Sequence, residues 1–170
     1  QYIDSETENI ESMNNLIEWL PNNLPSEKKT GIVHGDYSLT NVMIGKNDPN
    51  VIAILDWELS TLGDPCADFN YHCLQYTMNP KLADKEYCKA QGIPVIDDYV
   101  KMYAEKINID LTEEWDLYSA YNLFKLAGIL QGILGRVRDG TAAHENAAER
   151  ASGVKNLSDT AWALVEKNFI

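Results

Sequence analysis

Two stretches of this chain are the most informative about its structure: residues 31–43 read GIVHGDYSLTNVM, and residues 51–65 read VIAILDWELSTLGDP. Each joins a short apolar, β-branched run to a polar loop, and the turn-forming segment GKNDPN lies between them. This pattern predicts a small β-hairpin with strands at residues 41–44 and 51–55. The hairpin would place Asp56, which follows its second strand, beside the loop that carries Asn41.

Hydrophobic spacing favours helices in the rest of the chain. In SETENIESMNNLIEWLP, Ser5 lies three residues before Glu8 in a capping-box pattern, and apolar residues at helical spacing follow as far as Pro21. Thr112 is the expected cap of a central helix that is apolar on nearly every side. The sequence predicts further helices over residues 66–78, 82–90, 96–107, 112–134 and 146–168.

The expected fold class is therefore α+β and mainly helical, as one domain over residues 1–170 with the hairpin as its only sheet-like element. Of the 170 residues, 45% are hydrophobic and 24% are charged, as in an ordinary globular domain. The absence of a long apolar run and of a leader-like start predicts a soluble chain.

The charge balance narrows the range of partners. Lys and Arg number 14 and Asp and Glu number 26, so the net charge is −12, which disfavours binding to nucleic acid or to anionic membranes. The 3 cysteines are odd in number and form no C-x-x-C pair, which argues against a disulfide framework or a zinc site. An intracellular location is expected, and the sequence leaves open whether it is cytoplasmic or mitochondrial.

The polar loops contain the residue types that phosphoryl transfer needs. His34, Asp36 and Asn41 have the spacing H-x-D-x-x-x-x-N, and Asp56 follows the next apolar run. In that reaction one carboxylate orients the attacking hydroxyl and can accept its proton, while an amide oxygen and a second carboxylate hold Mg²⁺ on the nucleotide phosphates. Ordinary turn chemistry, which uses the same small polar residues, is the alternative interpretation of such a loop.

The segments HGDYSLTN, ILDWE and GDPCADF together resemble the aminoglycoside phosphotransferase and choline kinase-like family, whose members share a two-lobed fold with the protein kinases. The resemblance is close over residues 32–69, and the rest of the chain resembles the family only in being helical. It implies that this chain is the helical C-terminal lobe of such a fold, because neither a Gly-rich loop nor a strand lysine precedes Asp36. The N-terminal kinase lobe would then be a partner in the parent chain.

The resemblance also implies roles for individual residues. Asp36 would be the catalytic aspartate, Asn41 and Asp56 would bind the magnesium of Mg-ATP, His34 would brace the loop, and Asp68 would be the structural aspartate that ties the next helix to the loop.

One further residue has two interpretations. Because some relatives use an Asp-x-Glu pair for metal, Glu58 is either a metal ligand or an exposed loop glutamate.

The segment DWELSTLGDP is most similar to the corresponding sequence of kinase-like domains fused to acyl-CoA dehydrogenases. That similarity implies a fused acyl-CoA dehydrogenase domain as a further partner and a hydroxylated metabolite, such as a hydroxyacyl compound, as the acceptor. The expected function is ATP- and Mg²⁺-dependent phosphorylation of a hydroxyl group on a small molecule.

Three other functions are weighed against this one. An aminoglycoside- or choline-type kinase would suit the acidic surface, and a kinase-like domain without catalysis could serve in binding or regulation. Retention of both Asp36 and Asp56 favours an enzyme over the non-catalytic domain. A metal-dependent hydrolase fits least, because the sequence lacks a His-rich ligand cluster.

Overall fold

The computed structural model describes residues 2–25, 29–144 and 146–170. It confirms a mainly helical α+β fold with a small hairpin. The helices are α1 Tyr2–Ser5, α2 Glu11–Trp19, α3 Pro65–Cys73, α4 Gln75–Met78, α5 Pro80–Ala83, α6 Lys85–Ala90, α7 Ile96–Ile107, α8 Trp115–Arg138, α9 Ala147–Arg150 and α10 Val154–Asn168. The strands are β1 Gly31–Val33, β2 Val42–Ile44, β3 Val51–Ile54 and β4 Thr61–Gly63.

The hairpin expected after the polar loop is confirmed as the antiparallel pair β2–β3, in which Val42 lies opposite Ile54 and Ile44 lies opposite Val51. It is not the only sheet-like element, so that part of the prediction was wrong. Strand β1 pairs antiparallel with β4, with Ile32 opposite Leu62. This second strand pair brings together the two ends of residues 34–60, the segment that contains both polar loops.

The cap expected for the first long helix was wrong. Ser5 does not open α2: it is the last residue of α1, where its hydroxyl donates to the Tyr2 carbonyl at 3.0 Å. Helix α2 begins at Glu11, and its N-cap residue Ile10 makes no side-chain capping bond. Buried Ile10 is held by the core instead, so packing rather than capping fixes this helix start.

The central helix starts later than expected. Thr112 lies in the preceding turn, where its N–H donates to the Asp110 carboxylate at 2.9 Å, and α8 begins only at Trp115. The helix then runs to Arg138 and buries an apolar face made of Leu117, Tyr118, Ala120, Leu123 and Ala127.

Some expected helices are divided, whereas α7 over residues 96–107 is confirmed. The segment over residues 82–90 is interrupted at Asp84, whose carboxylate accepts from two backbone N–H groups and starts α6. The last predicted helix is interrupted over residues 151–153, between α9 and α10. At Asp84 the cause is a short polar side chain that bonds to backbone N–H groups and so starts a new helix, an effect that hydrophobic spacing does not reveal.

The chain forms two compact units, residues 26–118 and residues 1–25 with 119–170. In the second of these, α2 packs against α10, whose buried stripe includes Val154, Ala161 and Val165. In residues 26–118, a core cluster forms around Cys66, Leu111 and Tyr118. That the whole of residues 1–170 is a single domain stays a prediction.

Two further properties concern cysteines and membranes. Cys66, Cys73 and Cys88 are buried free thiols, and burial raises the pKa of Cys73 to about 12. Within the described ranges, no helix combines the length and the apolar character that crossing a membrane demands.

Candidate active site

The backbone of the first polar loop is fixed by one carboxylate of α3. Asp68 accepts hydrogen bonds from the backbone N–H of His34 and from that of Gly35, the latter at 2.9 Å. Gly35 has a φ of +85°, and a Cβ there would lie 2.5 Å from the Leu59 carbonyl oxygen. The loop therefore needs both a glycine at this position and a carboxylate one turn into the following helix.

His34 joins this loop to the end of strand β3. Its buried ring donates from Nε2 to the Leu55 carbonyl at 2.7 Å, while Nδ1 accepts from the Asp36 backbone N–H at 3.3 Å. A carbonyl can only accept and an N–H can only donate, so these two partners assign one tautomer of the neutral ring. The ring also lies 4.8 Å, centroid to centroid, from that of Trp57.

Asn41 contacts both polar loops. Its Nδ2 donates to the Asp36 carbonyl at 2.9 Å and to Asp36 Oδ2 at 3.3 Å. Its backbone carbonyl accepts from the Leu55 N–H at 2.8 Å, so the residue that precedes Asp56 lies against Asn41. Because the amide hydrogens face Asp36, the Asn41 amide oxygen is the atom left for a ligand.

Asp56 has a backbone conformation that is uncommon outside glycine. Its φ and ψ are 66° and 53°, in the left-handed region, which aspartate tolerates better than most residues but at some cost. The side chain is exposed, and Glu58 lies in the 3₁₀ turn Trp57–Leu59 that follows, where it is exposed too. A costly conformation at the end of an ordered strand is typical of a functional position.

The available metal ligands form a sparse set. In the part of the chain that the structure describes, no group of three or more His, Cys, Asp or Glu side chains could hold a metal ion by itself. Mg²⁺ bound to a nucleotide needs only one or two protein ligands, since phosphates and water complete its shell. The amide oxygen of Asn41 and the carboxylate of Asp56 fit that requirement.

Sequence reasoning missed Tyr71. Its hydroxyl donates a hydrogen bond to the Asp36 carboxylate, and burial together with the charge of Asp36 raises the pKa of Tyr71 to about 12. Tyr71 lies three residues after Asp68, so the two side chains share one face of α3. That spacing was the available signal, but a lone aromatic residue in a helix is usually a packing residue.

An open cleft of about 440 Å³ adjoins the first polar loop and includes His34 and Asp68 in its wall. Most of the wall is aromatic or aliphatic, and Lys106 adds a cationic group. The aromatic side chains that line it are Tyr37, Trp57, Phe69, Tyr99 and Tyr103.

Substitution of Asp68 tests how the loop is held. An asparagine offers only one acceptor oxygen and turns an N–H donor towards a backbone N–H, so we expect Asp68→Asn to lower the free energy of unfolding by about 2–3 kcal/mol. Chemical denaturation measures this, with Asp98→Asn on the exposed face of α7 as the matched loss of a carboxylate. Equal stability of the two variants would contradict the anchoring contacts.

Comparison with known proteins places these features in a family context. The family model described as "Phosphotransferase enzyme family" matches residues 1–118. Acyl-CoA dehydrogenase family member 10 of Mus musculus is 37% identical over 98% of this chain, and family member 11 of Homo sapiens is 32% identical over 99%. The chain spans only 16% and 22% of the length of these two curated relatives.

A solved structure gives a similar match. A protein of Ralstonia eutropha JMP134 that is provisionally described as an aminoglycoside phosphotransferase superposes with a TM-score of 0.89 and 41% sequence identity. The match covers 98% of this chain and 52% of that protein.

Proposed function

This chain belongs to the phosphotransferase enzyme family, and from that membership and its loop geometry we propose that it is the catalytic lobe of a kinase for small molecules. The reaction would move the γ-phosphoryl group of ATP to a hydroxyl group. The observation that carries this proposal is the set of hydrogen bonds that joins Asp36 to Asn41 and Asn41 to the residue before Asp56.

Each residue has a defined part in the proposed step. Asp36 orients the acceptor hydroxyl and takes its proton as the hydroxyl oxygen forms a bond to the γ-phosphorus; the bond from that phosphorus to the β–γ bridging oxygen breaks, and ADP leaves. The Asn41 amide oxygen and the Asp56 carboxylate would hold Mg²⁺, which neutralises the charge on the phosphates. Glu58 is a third candidate ligand, two residues beyond Asp56. His34 and Asp68 hold the loop.

The proposed acceptor is a hydroxyacyl compound. Two observations support it: relatives that match nearly the whole chain are acyl-CoA dehydrogenase family members, and the cleft beside the loop is lined mainly by aromatic and aliphatic side chains, with Lys106 as its cationic group. Such a cleft suits an apolar chain that carries an anionic group. An aminoglycoside- or choline-type acceptor is the second candidate, which the net charge of −12 and the Ralstonia eutropha structure favour.

The exposed apolar side chains on the strands support the proposal that a second lobe of the parent protein packs on them. On the two sheets Ile32 is 71% exposed, Ile52 is 62% exposed and Leu62 is 72% exposed. An N-terminal lobe that carries the Gly-rich loop and the phosphate-binding lysine would cover such apolar surface. A fused acyl-CoA dehydrogenase domain would account for much of the remaining length of the longer relatives. Buried free thiols support an intracellular site, cytoplasmic or mitochondrial, where the proposed cosubstrate ATP is also available.

The test is ADP formation by the full-length protein with Mg-ATP and a panel of hydroxy acids, hydroxyacyl-CoA thioesters, amino alcohols and aminoglycosides. We expect turnover with the hydroxyacyl class, with the acceptor phosphorylated in a 1:1 ratio to ADP. Turnover confined to the cationic acceptors would replace the proposed substrate by the second candidate. Absence of turnover with every class would favour a non-catalytic, regulatory domain.

A further inference from the structure

We propose that Tyr71 is a positioning residue for Asp36, because it lies on the face of α3 whose Asp68 holds the backbone just before Asp36, and its hydroxyl donates to the carboxylate that is to meet the acceptor hydroxyl. The inference rests on the proposed function in one respect only, that Asp36 acts on the acceptor. It assigns to helix α3 a second task beyond anchoring the loop.

One face of α3 contacts the loop at two levels. Asp68 binds the backbone N–H groups of His34 and Gly35, which fixes the main chain immediately before Asp36. Tyr71, almost one turn further along the same face, binds the Asp36 side chain itself. A single helix thus holds both the loop backbone and the Asp36 carboxylate, which keeps the position of that carboxylate precise.

The Asp36 carboxylate receives donors from two separate elements. The Asn41 amide reaches it from the 3₁₀ turn Leu39–Asn41 at 3.3 Å, and the Tyr71 hydroxyl reaches it from α3. Two donors from separate elements restrict the rotation of the side chain. A carboxylate has about four lone-pair sites, so capacity remains for the acceptor hydroxyl. Orientation of this kind matters because a small displacement of a reacting group lowers the rate steeply.

The phenol is suited to this task as a permanent donor. Tyr71 is half-buried, and a phenol is protonated at neutral pH even before burial raises its pKa, so it supplies a hydrogen bond and no charge. Its proton stays on the oxygen throughout the proposed step. Tyr71 therefore acts through Asp36 and takes no part in the bond changes.

A kinetic double-mutant cycle in the full-length protein tests this inference, with Mg-ATP and the best acceptor of the panel above. We expect Tyr71→Phe to lower kcat about tenfold, the loss that one hydrogen bond to a charged group accounts for, with the KM for Mg-ATP unchanged within about twofold. In the Asp36→Asn background the same change should cost nothing further, because the carboxylate on which it acts is gone.

The matched control is Tyr118→Phe. This change also removes a bond from a phenol to a carboxylate, the 2.6 Å contact with Asp64 Oδ2 in the same unit, while Asp64 Oδ1 still accepts from the Cys66 N–H and caps α3. We expect it to lower the melting temperature and to leave kcat within about twofold. It therefore separates general loss of stability from loss of positioning.

Two results would overturn the inference while the proposed function stands. One is an equal loss of kcat from Tyr71→Phe in both backgrounds, and the other is a loss confined to the KM for Mg-ATP. A wild-type protein without turnover would instead overturn the proposed function, and the positioning role with it. Melting temperatures, which need no activity, test the contact itself with Asp36→Ala, a change that leaves Tyr71 no acceptor at this position: Tyr71→Phe should lower the melting temperature less when Asp36 is already alanine, and an equal shift would overturn the contact.

Discussion

Asp36→Asn in the full-length protein should lower kcat by about 10²–10⁴-fold while leaving Mg-ATP affinity nearly unchanged, because loss of a positioned general base costs that much. Asparagine has the same size and keeps an oxygen to accept from Asn41 and Tyr71, so the loop should stay folded. It cannot accept the proton of the acceptor hydroxyl. Steady-state ADP formation and equilibrium binding of Mg-ATP measure the two quantities separately.

A variant that turns over at the wild-type rate would contradict the role of Asp36. Lys101→Met on the exposed face of α7 serves as a control for a change of charge outside the loop. It should leave both kcat and Mg-ATP affinity at the wild-type level.

Asp56→Asn should act on binding before turnover. We expect the dissociation constant of Mg-ATP to rise by at least about 10–100-fold, the range that loss of even an outer partner of a metal ligand costs. Asparagine also tolerates the left-handed backbone of Asp56, so the substitution removes the ligand charge without adding backbone strain. Calorimetric titration of the full-length protein with Mg-ATP measures the effect.

Glu58→Gln is the matched comparison for Asp56. A loss as large as that of Asp56→Asn would make Glu58 a direct ligand, whereas a change below about twofold would make it an exposed loop residue. If Asp36→Asn and Asp56→Asn both weakened nucleotide binding equally and spared turnover, the proposed division of roles would be wrong.

The hairpin and α7 could be predicted because each carries a clear local signal. GKNDPN separates two β-branched runs, and residues 96–107 have regular helical spacing between a proline and an asparagine. The pair β1–β4 could not be predicted in this way, since its strands of 3 residues are too short to show alternation and they pair across the loops between them. Such a pairing depends on the tertiary fold rather than on local sequence.

In the candidate site, too, the features with a local sequence signal could be predicted and those set by the tertiary fold could not. The spacing from His34 to Asp56 is visible in the sequence, and the family resemblance that rests on it is confirmed. The hydrogen bond from His34 to the Leu55 carbonyl and the contact of Tyr71 with Asp36 are not visible, because each joins segments whose distance is set by the fold. In the sequence alone, Tyr71 cannot be distinguished from an ordinary packing residue of a helix, because only the fold places the loop beside α3.

Nucleotide binding by these 170 residues alone distinguishes half of a two-lobed site from a complete one. Asn41 and Asp56 can hold a metal only weakly without the phosphates that share its coordination shell, and the sequence supplies no Gly-rich loop or strand lysine ahead of Asp36 to grip those phosphates. Isothermal titration of the folded chain with Mg-ATP should therefore give a dissociation constant of about 1 mM or weaker, equivalent to about −4 kcal/mol. A micromolar dissociation constant would show a complete nucleotide site within this chain and would contradict the proposal that it is one lobe of a two-lobed phosphotransferase.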